Sequence, residues 1–274
     1  LSQAYAFGIS INENGEIVQK SGQGEINWSK GVISAVGYAD INQPVYAQQV
    51  AAAADARANL VMMLGEIHIS RGIKVQKGIL EEDINQQTVQ GILSGSFVGE
   101  MTRASNGMAS VIAYKKMSPD IMKELLPEKY FSIESGETVY SPAIEAVQVS
   151  AQAPAVTPYT GLIIDAKGLD VTPSLGLNVM VEDSREILYG MSTCERQEVI
   201  KKGGMAGYAS SVEKAKENRR IGNNPMIIQA VEAAGERNTD LSVSKNDAAK
   251  IYQENLQGSF LKDLKVVVVC GSNR

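Results

Sequence analysis

Three carboxylates stand where apolar runs give out. Asp165 closes TGLIID, Asp170 follows five residues later across Lys167 and Gly168, and Asp183 falls in the VED that ends LGLNVMVED. An aspartate at the carboxyl edge of a sheet serves phosphoryl-transfer chemistry as nucleophile or magnesium ligand. Three such groups around a magnesium or calcium ion would make a metal-dependent hydrolase or phosphoryl-transfer enzyme. That chemistry usually wants its second carboxylate two residues after the first, and Lys167 occupies that position. Aspartate and glycine after an apolar run are also the ordinary chemistry of a strand-to-turn exit, and the pattern favours that reading.

Other reactive types are scattered. Ser192, Thr193 and Cys194 lie near Arg196, the one neighbour whose positive field would favour a thiolate. Cys270 ends a valine run and reads as buried and inert. A disulfide between Cys194 and Cys270 and two separate thiols are equally consistent with the spacing. His68 is the single histidine, so Ser-His-Asp and Cys-His schemes fall away unless it serves them, and histidine-built zinc is excluded. At the end of an alanine-rich helix, it reads as structural. Arg219 and Arg220 beside Gly222 form either an anion seat or, preferably, a solvated loop. Gly22-Gln23-Gly24 lacks the third glycine and following helix of a nucleotide loop, so a bent strand is expected. Met62 and Met63 read as core filling. No catalytic set and no cofactor site emerges.

The bulk numbers agree. The chain has 274 residues, 44% hydrophobic, enough for one large or two ordinary domains without staples. Its formal charge of -5 offers no basic stripe for nucleic acid. No apolar run approaches the roughly 20 residues that span a bilayer. The opening LSQAYAFGIS has no basic or apolar leader regions, so the expectation is a cytosolic protein or one whose leader has been removed.

The elements that would position these residues can be read from periodicity. AYAFGISI and EIVQKSGQG flank Asn14-Gly15 as a hairpin, and GEINWSKGVISAVGYADI continues extended, with Gly31 and Gly37 weakening it or marking bulges. Ala53, Ala56, Leu60, Leu64 and Ile67 recur at helical steps, while Gln48, Asp55 and Asn59 fall largely elsewhere. GIKVQKGIL reads as a strand and EEDINQQTVQGIL as a helix. SFVGEMTRASNGMASVIAYKKM is a hairpin turning at Asn106-Gly107, and SPDIMKELL a helix capped by Ser118 with Pro119 first. After the proline-rich stretch from 135 to 158, LGLNVMVED and EILYG pair, PMIIQAVEAA favours strand, Ser244 with Asp247 opens a helix, and LKVVVVCG is a fully buried strand. The expected fold class is α+β in two domains. Residues 1–134 form an antiparallel sheet packed by the alanine-rich helix, 135–158 a linker, and 159–274 a mixed sheet with flanking helices.

Two passages carry a resemblance. GQGEI, AAAADARANLVMMLGEIHI and the following hairpin resemble the bacterial envelope lipoprotein family that includes the flagellar protein FlgP, and the amino-terminal module of the flagellar assembly protein FlgT. YTGLIIDAKGL, VEDSREILYG, RRIGNNPMIIQA and VSKNDAAKI are similar to a domain that follows this module in exported bacterial proteins with no assigned reaction. The chain departs from the pattern in lacking the lipid-bearing cysteine near its start. Lys167 stands where arginine is commoner, and Arg185 where a glycine is expected. The resemblance implies an exported protein, periplasmic or outer-membrane-associated, acting in envelope or flagellar assembly. It carries over no catalytic residue. The expected function is non-enzymatic, through protein partners or through self-association in which exposed strand edges of the first domain add strands across a symmetry axis.

Overall fold

The computed structural model describes residues 8–70, 73–74, 93, 95–105, 107–133, 137–142, 157–235 and 237–271. The helix expected over EEDINQQTVQGIL, like the strand of GIKVQKGIL beyond Lys74, lies outside the described residues. Two compact units divide the chain, the first ending at Leu126 and the second running on from Pro127. No helix among the described residues is long and apolar enough to cross a membrane.

In the first unit the order is β1 (Gly8–Ile11), β2 (Ile17–Ser21), β3 (Gly24–Asn27), β4 (Val32–Ala39), α1 (Val45–Leu64), β5 (His68–Ser70), β6 (Ile73–Lys74), β7 (Phe97–Val98), β8 (Thr102–Arg103), β9 (Ala109–Lys116) and α2 (Pro119–Leu125). The main sheet runs β1-β2-β3-β4-β9-β7, with β8 also on β9, and every pairing is antiparallel. Both expected hairpins form, β1–β2 with Gly15 at φ 73° and β8–β9 with Gly107 at φ 82°, while Asn106 lies outside the described residues. Gly22-Gln23-Gly24 is neither nucleotide loop nor bent strand. Gly22 and Gln23 are the two central residues of the β2–β3 hairpin, and Gly22 supplies the positive φ of 55° such a turn needs.

The buried stripe of α1 is Gln48, Ala52, Ala56, Leu60, Met63 and Leu64, while Met62 faces solvent. The expected Ala53 is only half buried, because the contact follows four-residue steps from Gln48, whose amide donates to the carbonyls of Ile41 and Gln43. Helix and sheet meet at Gly37, where a methyl group would collide with the backbone of Ala52 and Ala56. Gly37 therefore marks a close approach, not a bulge. Strand β4 outlasts β3, so its last backbone groups need other partners. Asp55 Oδ2 accepts the Tyr38 N–H at 2.8 Å and Asn59 Nδ2 donates to the Val36 carbonyl at 2.8 Å. His68 is buried at the start of β5, just beyond the helix.

The second unit contains β10 (Gly161–Asp165), β11 (Val179–Val181), β12 (Ile187–Tyr189), α3 (Arg196–Lys202), β13 (Gly207–Ala209), α4 (Val212–Lys216), β14 (Pro225–Gln229), β15 (Glu232–Ala234), β16 (Asp240–Val243), α5 (Lys245–Gly258) and β17 (Val266–Val269). It holds two sheets. One is wholly parallel, in the order β13-β17-β10-β14, and the other mixed, in the order β12-β11-β16-β15. The segment PMIIQAVEAA is strand, as its β-branched pair favoured, but it serves both sheets. Ala230 N–H bonds the Asp165 carbonyl and Val231 N–H the Ser242 carbonyl, so the chain crosses from one sheet to the other within two residues. Four buried valines make β17 an interior strand of the parallel sheet. Ser244 caps α5 by accepting the Asp247 N–H.

Part of the stretch expected to link the domains packs instead on this unit. Val139 bridges Ile187, Tyr140 N–H bonds the Ile187 carbonyl, and the Tyr140 ring meets Tyr252 edge-on at 6.1 Å. The contact is a single bridge, the one extended piece for which the linker reading left room, and its register is set by β12, not by its own periodicity.

Candidate functional site

The three aspartates do not share one turn: Asp165 and Asp170 flank the turn after β10, and Asp183 lies in another. Asp165 ends β10, and its Oδ1 accepts the Lys167 N–H at 3.0 Å, the local bond by which aspartate starts a turn. Asp170 is exposed in the loop that follows. Asp183 belongs to the other sheet, in the β11–β12 turn at φ 65°. Among the described residues no three His, Cys, Asp or Glu side chains are grouped to hold a metal ion. The convergence that a hydrolase built on Asp165, Asp170 and Asp183 requires is not formed. Arg185 adopts φ 59° in the same turn, the left-handed backbone that the expected glycine would supply. Its guanidinium reaches Glu232 at 3.1 Å and Ser242 Oγ at 3.3 Å.

Neither cysteine is bonded to the other. Cys194 follows a 3-10 turn (Met191–Thr193); burial pushes its thiol up to about 11, against a smaller opposing effect of the Thr193 hydrogen bond. Burial alone carries Cys270 to about 12. Arg196, the proposed source of a positive field, pairs with Glu128 at 3.7 Å. A thiol raised this far forms little nucleophile near neutral pH. Beside Cys194 lies a cleft of about 460 Å³, lined in part by Tyr140, Leu188, Glu195, Tyr252 and Lys262.

Arg219 is exposed in a turn, as a solvated loop requires, whereas Arg220 is neither solvated nor an anion seat. Arg220 donates to the carbonyls of Lys202 (2.6 Å), Gly204 (3.0 Å), Met205 (3.2 Å) and Leu264 (3.3 Å), drawing together the α3–β13 loop and the approach to β17. Desolvation lowers its pKa, partly opposed by Tyr189 and Tyr208 alongside. With its donors spent on backbone, the guanidinium has a structural role.

A feature that sequence reasoning missed lies on the first unit, on the face of the main sheet opposite α1. There Phe97 is 66% exposed, Ile112 52% and Tyr114 40%. Phe97 pairs with Tyr114 across β7 and β9, and their rings stack at 5.5 Å. Register sets one row across five strands: Phe97, Tyr114, Ser34, Glu25 and Lys20. Ile112 and Val36 form the next row. The signal was present in ASVIAYKK. Ala109, Val111 and Ala113 point into the core, yet Ile112 and Tyr114 keep the opposite phase apolar where a one-sided sheet would carry polar residues. Beside the row, Lys20, Gln23, Gly24, Glu25, Ser34 and Val36 help line a cleft of about 450 Å³.

The match to known families falls on the other unit. Residues 161–272 match the family model for Treponema pallidum Tp0624, second domain. That span begins at β10 and takes in both sheets of the second unit. No curated protein matches the chain.

Proposed function

We propose that this is a non-enzymatic envelope protein that acts through protein contacts, with the open sheet face of the first unit as its contact surface. The observation that carries this reading is the exposure of Phe97, Ile112 and Tyr114 together on one face of the sheet. Large aromatic and aliphatic side chains grouped in solvent mark interaction surfaces, because covering them releases their hydration water and lowers the free energy. Export to the periplasm or outer-membrane association, and a role in envelope or flagellar assembly, follow from the resemblance of the first domain to the FlgP family.

The test is in-cell crosslinking of the full-length protein against a Phe97→Ser/Tyr114→Ser variant whose circular dichroism matches wild type. We expect crosslinked complexes to fall at least tenfold in the variant. Undiminished complexes would remove this surface from the function, and a cytosolic location on fractionation would remove the envelope assignment.

A further inference from the structure

We infer that the open sheet face is self-complementary and pairs with the same face of a second copy about a two-fold axis running along β4. This inference rests on the contact reading above and names its partner. The row across the face reads aromatic, aromatic, hydroxyl, acid, base: Phe97, Tyr114, Ser34, Glu25, Lys20. A two-fold axis parallel to the strands and passing over Ser34 reverses that row. Lys20 then lies over Phe97 of the second copy, where an ammonium is attracted to the ring face. Glu25 meets the phenol of Tyr114 of the second copy, a hydroxyl donor to a carboxylate.

The neighbouring row fits the same operation. Val36 and Val32 share the Ser34 face of β4, so each meets its own counterpart on the axis. Ile112, one strand to one side, lands one strand to the other side, opposite Gln23, whose carbonyl accepts the Val36 N–H. That is where the cleft of about 450 Å³ lies, lined by Gln23, Gly24 and Val36 among others. Ile112 of the same chain forms the far wall of that cleft, so in the pair the Ile112 side chains of both copies would border each hollow, twice over, as an isologous interface demands. Sheets packing face to face sit about 10 Å apart, a gap these side chains fill from both sides.

Sedimentation velocity of the full chain over a concentration series reads the association, and crosslinking reads the axis. In a Cys194→Ser background, Ser34→Cys on the axis should couple to itself through a short bis-maleimide. Ser10→Cys, on the same face but three strands away, would lie roughly 29 Å from its counterpart at about 4.8 Å per strand and should not couple. Tyr114→Phe keeps the ring and removes the donor, and should weaken the dimer about five- to tenfold. A general apolar association would not register that change. A chain that stays monomeric at its solubility limit, Ser10→Cys coupling as well as Ser34→Cys, or an unchanged Tyr114→Phe dimer would each overturn the pairing. If the chain is monomeric yet the Phe97→Ser/Tyr114→Ser variant still loses its cellular complexes, self-pairing fails and the contact reading stands. If those complexes survive as well, both fail.

Discussion

Two charged side chains show what a single residue does for this fold. Arg220 binds four backbone carbonyls with a planar fork that a lysine cannot reproduce. Arg220→Lys keeps the charge but leaves part of that buried acceptor set unmet, and should cost about 2–3 kcal/mol in thermal or urea unfolding. Glu16 accepts from Lys30 at 2.6 Å and from Asn12 and Asn27, and these contacts hold its carboxyl down from 4.5 to about 2. A depressed carboxylate stabilises the folded state above its unfolded pKa and loses that contribution as pH falls through the folded value. Glu16→Gln should therefore cost on the order of 1 kcal/mol at pH 7, a figure reduced because Lys30 is largely solvated. The gap to wild type should narrow between pH 4.5 and about 2. An equal gap at pH 7 and pH 3 would show that the ion pair contributes nothing. Neither role was legible in the chain. A pair of arginines before a glycine says nothing of the carbonyls brought to it from 16 and 44 residues away.

Among the elements, α1 and its sheet depend on small side chains at their contact. Gly37 lies against the backbone of Ala52 and Ala56, and Ala39, Ala109 and Val111 complete the seam. Gly37→Ala and Ala56→Leu should each force helix and sheet apart at a cost of about 1–3 kcal/mol. A melting temperature unchanged by either substitution would mean that the helix does not pack there. The helix itself was readable, because alanine-rich runs with long apolar residues at four-residue steps have one dominant solution. Its polar partners were not. Asp55 and Asn59 looked like solvent-facing residues until β4 proved longer than β3 and left backbone groups for them to meet. The split of PMIIQAVEAA between two sheets was equally hidden, since β-propensity reports a pleated environment and not which sheet supplies it.

For the molecule as a whole, the division into units sets where a domain can be cut. The family match begins at residue 161, but Tyr140 is 8% exposed against the same unit and hydrogen-bonded to Ile187. A fragment covering 127–271 should exceed one covering 157–271 in stability by about 2 kcal/mol, the worth of covering one tyrosine and its aromatic neighbour. Equal stabilities in chemical denaturation would return that segment to a linker. Local chemistry determined a good deal without any structure: the α+β class, the alanine-rich helix, both asparagine-glycine hairpins, the valine strand and the turn-forming character of Asp165. Each of these follows from backbone preference or from periodicity within a short window. Only the tertiary structure decided that Asp183 belongs to a different sheet from Asp165, that Arg220 is consumed by backbone, and that Phe97, Ile112 and Tyr114 share an open face. Those facts depend on which distant strands become neighbours, and strand register is a property of pairs of segments that no single window of sequence contains.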